Sequence, residues 1–180
     1  MQNLLWAAFA RVVSRPHVAR AIIDRAQRTP YSHIEGPDGS IYMGRWWLFN
    51  RYGKDAEGNQ TAAALSWPPS VRIHHIKRPD TDRHLHDHPW NARTIVLQGS
   101  YCEERPCGDN GQRERFERRT GYTGRLLFGE YHRISAVSDG GVWTMFWTWR
   151  KRGTWGFDVD GVKVPWREYF AKAEQGSEGA

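Results

Sequence analysis

The sequence predicts an all-β domain with peripheral helices. A helical arm (residues 1–29) precedes a two-sheet jelly roll (30–171), and a small polar tail (172–180) is expected to be disordered. Three observations carry this reading. Apolar residues recur at helical spacing only near the start of the chain. From Pro30 onward the text breaks into eight short β-type runs separated by Gly, Pro, Asn and Asp. A chain of 180 residues, 13% aromatic and 26% charged, is long and apolar enough to bury one core and needs no second domain.

The arm begins with NLLWAAFARVV (3–13), where Leu5, Trp6, Phe9, Val12 and Val13 form one stripe for burial. Ser14-Arg15-Pro16 ends this helix and starts another that runs to about Arg28. Ser14 is expected as its N-cap, with the proline in the first turn. The arm is read as packing outside the sheet.

The β-type runs are 41–49, 71–77, 93–103, 113–119, 125–128, 132–137, 142–149 and 155–159. In 142–149, Trp143, Met145, Trp147 and Trp149 share one face and Val142, Thr144, Phe146 and Thr148 the other. The tryptophan face is read as sheet packing, with the wall of a binding cavity as the alternative. The stretch between Gly99 and Gly121 reads as strand, turn and strand, the turn at 107–111, with no chemistry of its own.

Net charge is +6, from 21 arginines and five lysines against 20 acidic residues. The densest basic run, Arg113 to Arg119, is interleaved with Glu114 and Glu117, so it reads as a solvated strand and argues against nucleic acid as a partner. Cys102 and Cys107 are too few for a disulfide framework, and a reduced, cytoplasmic setting is expected. The apolar run Leu4 to Ala10 falls well short of the roughly 20 residues of a membrane span, so a soluble protein with no membrane partner is expected, membrane-surface binding being the alternative reading of the helical arm.

The chemistry concentrates in HLHDHPW (84–90). On a strand, alternate side chains share a face, so His84, His86 and His88 would project together. Neutral imidazoles with open positions beside them suit Fe(II), Zn, Ni, Cu or Mn.

At this point the chain resembles the cupin superfamily, whose first motif is G(X)5HXH(X)3–4E(X)6G. With the HXH on His86 and His88, the glutamate position falls on Ala92 and Gly99 follows as the pattern requires; placing it on His84 and His86 breaks that count. The second motif, G(X)5PXG(X)2H(X)3N, is similar to Gly121, Leu127, Phe128, Gly129, His132 and Ala136, with leucine for proline and alanine for asparagine. The resemblance implies a jelly-roll barrel holding a divalent metal on His86, His88 and His132, without the usual glutamate. Fe(II) is favoured, with Zn, Ni or Mn as alternatives. A three-histidine site looks like that of the cysteine dioxygenase branch, whose non-heme iron adds dioxygen to a thiol. No cysteine lies near Arg93, where a cysteine–tyrosine crosslink would be sought, so thiol oxygenation is one option among several. Segments such as RPDTDRHLHDHPW (78–90) and VWTMFWTW (142–149) also look like a family of small cupin-like proteins of tailed phages and proteobacteria. This likeness implies a cytoplasmic location, the host's if phage-encoded, and a homodimer is the pairing cupins suggest.

Other residues are candidates around that centre. His84 is an alternate ligand or a solvent-exposed neighbour, and His74 lines the pocket or packs. Asp87 is expected to point away from the ion and fix the HXH backbone by hydrogen bonding. Arg45 and Arg93 are candidates for binding a substrate carboxylate or phosphate, and Tyr101, Tyr131 and Trp147 for pocket walls. Two functions follow: a metal-dependent enzyme acting on a small molecule, or a non-catalytic cupin that binds a metabolite or serves as a phage accessory protein, its metal structural or absent.

Overall fold

The computed structural model describes residues 2–36, 39–56, 60–108 and 111–177. Two helices come first, α1 (Gln2–Val13) and α2 (Pro16–Ala26). Eight strands follow: β1 (Ile34–Glu35), β2 (Ile41–Phe49), β3 (Tyr52–Lys54), β4 (Gln60–Ala63), β5 (Ser70–Ile76), β6 (Leu85–His86), β7 (Trp90–Gln98) and β8 (Ser100–Cys107). The rest comprises β9 (Gln112–Arg119), β10 (Thr123–Leu126), β11 (Arg133–Val137), β12 (Val142–Lys151), β13 (Gly156–Val159), β14 (Val162–Pro165) and α3 (Trp166–Ser177). No helix among the described residues is long and apolar enough to cross a membrane.

The main sheet runs β1-β2-β5-β12-β7-β10, with every pairing antiparallel. Against it stand two three-stranded sheets, β11-β8-β9 and β14-β13-β6, while β3 and β4 form a separate hairpin. The single run expected over 93–103 is two strands in two sheets. Gly99 divides them at φ +83, and a Cβ there would lie 2.6 Å from the carbonyl oxygen of Gly141. Only glycine turns the chain from one sheet to the other at that point.

The main sheet is apolar on both faces, which is why its strands read as mixed runs rather than clean alternation. On the outer face Val71, Ile73, Ile95, Leu97 and Met145 pack against Ala10, Val13, Ala19, Ile23 and Ala26 of the arm. On the inner face Ile76, Val96, Tyr101, Ile134 and Val142 join the main sheet to β8 and β11. Strand β12 shows the division best: Trp143 and Trp147 face the arm, while Val142, Thr144, Phe146 and Thr148 are buried on the inner side. Each fully buried aliphatic side chain contributes about 1.5–3 kcal/mol.

Three local expectations change. The stripe of α1 is rotated: Trp6, Ala10 and Val13 meet the sheet, whereas Leu5 and Val12 are 71% and 47% exposed. A helix on a sheet touches along a narrow line, and positions 6, 10 and 13 share it. The N-cap of α2 is Arg15, without a side-chain cap bond, because the amide of Ser14 is still donating to Ala10 at the end of α1. Finally, α3 continues as helix through Ser177 where a tail was expected from 172. Residues 178–180 lie outside the described residues, as do 109 and 110 of the expected 107–111 turn.

Candidate metal centre

His86 and His132 are set opposite each other by the backbone. Each donates its amide to the other's carbonyl, at 2.8 and 2.9 Å, a reciprocal antiparallel pair between residues 46 apart in sequence. On its other edge His86 pairs with Phe157 of β13. His88 follows through Asp87, which is completely buried. The Asp87 carboxylate accepts the amide of Gly156 at 2.8 Å and pairs with Lys163, while its own amide donates to the Gly156 carbonyl. Asp87 thus points away from the histidines and pins the turn that carries them to β13 and β14.

The result is one cluster. Ligand atoms of His86, His88 and His132 all lie within 4.8 Å of one another, and Nε2 of His88 is 2.9 Å from Nε2 of His132. Two imidazole nitrogens bound about 2.1 Å from one ion at a right angle sit about 3 Å apart, so that pair has the spacing of adjacent ligands.

Two carboxylates stand behind the rings. Nδ1 of His132 donates to Glu103 Oε1 at 3.0 Å, which leaves Nε2 for the cluster. Burial alone would raise the Glu103 carboxyl. Hydrogen bonds from His132 and Arg105 outweigh it and hold the group down at about 2. Nδ1 of His86 lies 3.9 Å from Asp80, whose carboxylate also accepts the Ile134 amide and the Tyr42 hydroxyl. Burial, then the neighbouring His132, pushes His86 down to about 4, and burial pushes His88 well below its ordinary value. Neutral imidazole is the form a metal needs, and this pocket supplies it.

No protein-family model matches the sequence, and no curated protein matches it either. Solved structures match in part. HppE with Fe(II) and the alternative substrate (S)-1-HPP superposes with a TM-score of 0.43 at 12% identity, over 66% of this chain and 55% of that one. Streptomyces albus HEPD, with 2-hydroxyethylphosphonate and Fe(II) bound, gives 0.48 at 12% identity, over 69% and 25%. A variant of Bacillus subtilis oxalate decarboxylase OxdC gives 0.47 at 13% identity, over 76% and 31%. The chain spans about half the length of HppE and less of the other two. The three histidines gather on β6, the turn after it, and the bridge before β11. The fold is an antiparallel jelly-roll-type barrel built from a six-stranded sheet and two three-stranded sheets.

The remaining candidates lie outside the cluster, with Arg45 and Arg93 both on the wall of one cleft. His84 leaves the cluster: its Nδ1 is 2.9 Å from the Tyr169 hydroxyl of α3. The strand expected to align it with His86 and His88 is only two residues long. His74 is buried on β5, its ring 5.1 Å from that of Phe146, and its Nε2 has no hydrogen-bond partner among the described residues. Arg45 lies 4.6 Å over the Tyr31 ring, and burial pushes its guanidinium down to about 10. Arg93 stands 4.8 Å over Trp6 and donates to Thr123. Tyr131 is half-buried, and burial followed by the charge of Asp87 pushes its hydroxyl up to about 12.

Two pocket-wall expectations need correcting. Tyr101 is core, packed with Val96, Ile134 and Val142. Trp147 faces the arm, edge-on to Trp6 and Phe9 at 5.3 and 6.1 Å, because odd positions of β12 point outward. The alternative of tryptophans lining a cavity therefore fails for Trp143 and Trp147.

The reading of 99–121 as chemically empty also fails, since Glu103 lies within it. Its one local signal was the pair Glu103-Glu104 on a β-type run, the kind of buried charge that requires partners. Asp80 and Arg72 were missed too. Their partners come from other elements, so nothing adjacent in sequence marks them.

Proposed function

We propose that His86, His88 and His132 hold one divalent metal ion, with iron(II) as the favoured occupant, and that the protein uses it to transform a small molecule as a non-heme oxygenase. The observation that carries this is the cluster itself: three nitrogens within 4.8 Å, at least one of them held by a carboxylate behind its ring. An ion on three neutral imidazoles keeps positions for substrate and for dioxygen or water. The protein's own contribution is to orient the rings through Glu103 and the Asp87 turn. Iron is preferred on the resemblance to the cysteine dioxygenase branch, and zinc, nickel and manganese suit the same donors.

A non-catalytic reading has one observation in its favour. Ala92, where the usual fourth ligand would stand, is packed with Leu126 and Phe146 in an apolar cluster. Metal analysis of protein purified without added metal tests the site. One equivalent per chain is expected, lost in His88→Ala and His132→Ala; trace metal unchanged by these substitutions would sink the proposal. Oxygen uptake by the iron-loaded protein against a panel of thiols and small acids then separates the readings. No uptake with any of them would favour a binding protein.

A further inference from the structure

A cleft of about 1830 Å³ opens beside the barrel. Among its described lining residues eight are arginine or lysine and none is aspartate or glutamate. Most of these cations reach water. Arg72 does not: it is 2% exposed, on β5. Five aromatic rings surround its guanidinium, with Trp90 at 4.9 Å, Trp47 and Phe146 at 5.5 Å, Tyr52 at 5.7 Å and Tyr31 at 6.0 Å from Cζ to the ring centres. The hydroxyls of Tyr31 and Tyr52 lie near it, as do the cationic Arg45 and the ring of His74, and no ion pair among the described residues includes it. Two of its nitrogens, Nε and Nη2, are buried with no hydrogen-bond partner among those residues.

A buried guanidinium with open donors is costly: ring faces recover part of the lost hydration, and a paired anion recovers more. Two residues along the same strand, hence on the same face, His74 presents a second buried nitrogen without a partner. Both groups adjoin the ring of Phe146, which also lies 5.8 Å from His88; Trp90, on the wall of the cleft, stacks with His88 at 6.1 Å.

We propose that the end of this cleft is a binding site for an organic anion, a carboxylate or phosphoryl compound. Its charged group pairs with Arg72 and its body lies among the rings of Tyr31, Tyr52 and Trp90. Resting on the metal reading above, this makes the substrate an anionic small molecule anchored at Arg72, whose neighbouring rings Trp90 and Phe146 also adjoin His88. The anion site does not itself require the metal.

The test is titration of benzoate and of inorganic phosphate into metal-free and iron-loaded protein, followed by tryptophan fluorescence and melting temperature. Saturable binding of at least one probe at millimolar concentration is expected. Arg72→Met should weaken it at least about tenfold, the worth of one charged hydrogen bond, and Arg72→Lys should fall between. Without probe, Arg72→Met should melt no lower than wild type, because it removes a buried charge that has no partner. No saturable response of wild type to either probe overturns the proposal, and this arm stands even if the variants fail to fold. Unchanged binding in Arg72→Met overturns it as well, as does a lowered melting temperature together with retained binding, which would mark the arginine as a structural pillar. The two readings fail separately. Anion binding without stoichiometric metal sinks only the metal centre, and metal without anion binding sinks only this site.

Discussion

Glu103 accepts a hydrogen bond from Nδ1 of His132 at 3.0 Å while also pairing with Arg105 and Arg118. One carboxylate thereby sets the tautomer of a candidate ligand and ties it to two strands. Glu103→Gln should lower metal affinity by about 10–100-fold, the usual effect of losing a carboxylate behind a ligating histidine. Chelator competition measures this; unaltered affinity would leave Glu103 with a purely structural role.

Metal should also act on folding. An ion that binds only the folded chain stabilises it by about 2.7 kcal/mol at a hundredfold excess over Kd. For a chain of this size that is a rise of about 5–10 °C in Tm. Calorimetry with and without chelator should show the rise in wild type and its loss in His132→Ala. A metal-induced rise that survives the substitution would place the ion elsewhere.

Phe157 is 1% exposed and stacks on Tyr169 at 3.8 Å, between β13 and α3, with His86 6.0 Å away. Phe157→Ala should cost about 3–5 kcal/mol, since the cavity it leaves is walled by sheet and helix. It should also weaken metal binding, because β13 backs His86. Denaturant unfolding reads the first effect and metal titration the second; a cost below about 1 kcal/mol would mean that α3 packs without depending on this ring.

Glu104 sets a pH dependence away from the histidines. Burial would raise its carboxyl, but Arg115, Arg133 and Arg113 outweigh burial and hold it below the ordinary value. A carboxyl lowered in the folded state stabilises fully above its unfolded pKa of about 4.3, and that stability is lost as pH falls through the folded value. Glu104→Gln should therefore melt below wild type at pH 7, with the gap closing below about pH 4. A gap that stays constant as pH falls well below 4 would show that the arginines do not depend on this charge.

Much of the fold was legible in the text. The end of helical spacing near Pro30 marks the junction of arm and sheets, and all eight runs contain strand, because a period of two and the turn residues are local properties. Short strands fixed mainly by pairing partners escaped: β1, β3, β4, β6 and β14 have two to four residues each, too few for a period to show. The helix α3 was hidden because its aromatic face, Trp166, Tyr169 and Phe170, packs on β13 rather than announcing a start with a cap.

By itself the sequence gathered three histidines into HLHDHPW, and its resemblance to the cupin motifs, through the counts to Gly99 and Gly121, implied His86, His88 and His132 as the three to bring together, since spacing along a chain is written in the chain. Only the tertiary structure decided what stands behind them. Glu103 reaches His132 across 29 positions, and Tyr42 reaches Asp80 across 38. Arg72 is surrounded by rings drawn from four strands and the segment before β1, with no carboxylate paired to it among the described residues. Whether a buried charge is satisfied depends on every element packed around it, and that is settled only when the sheets close.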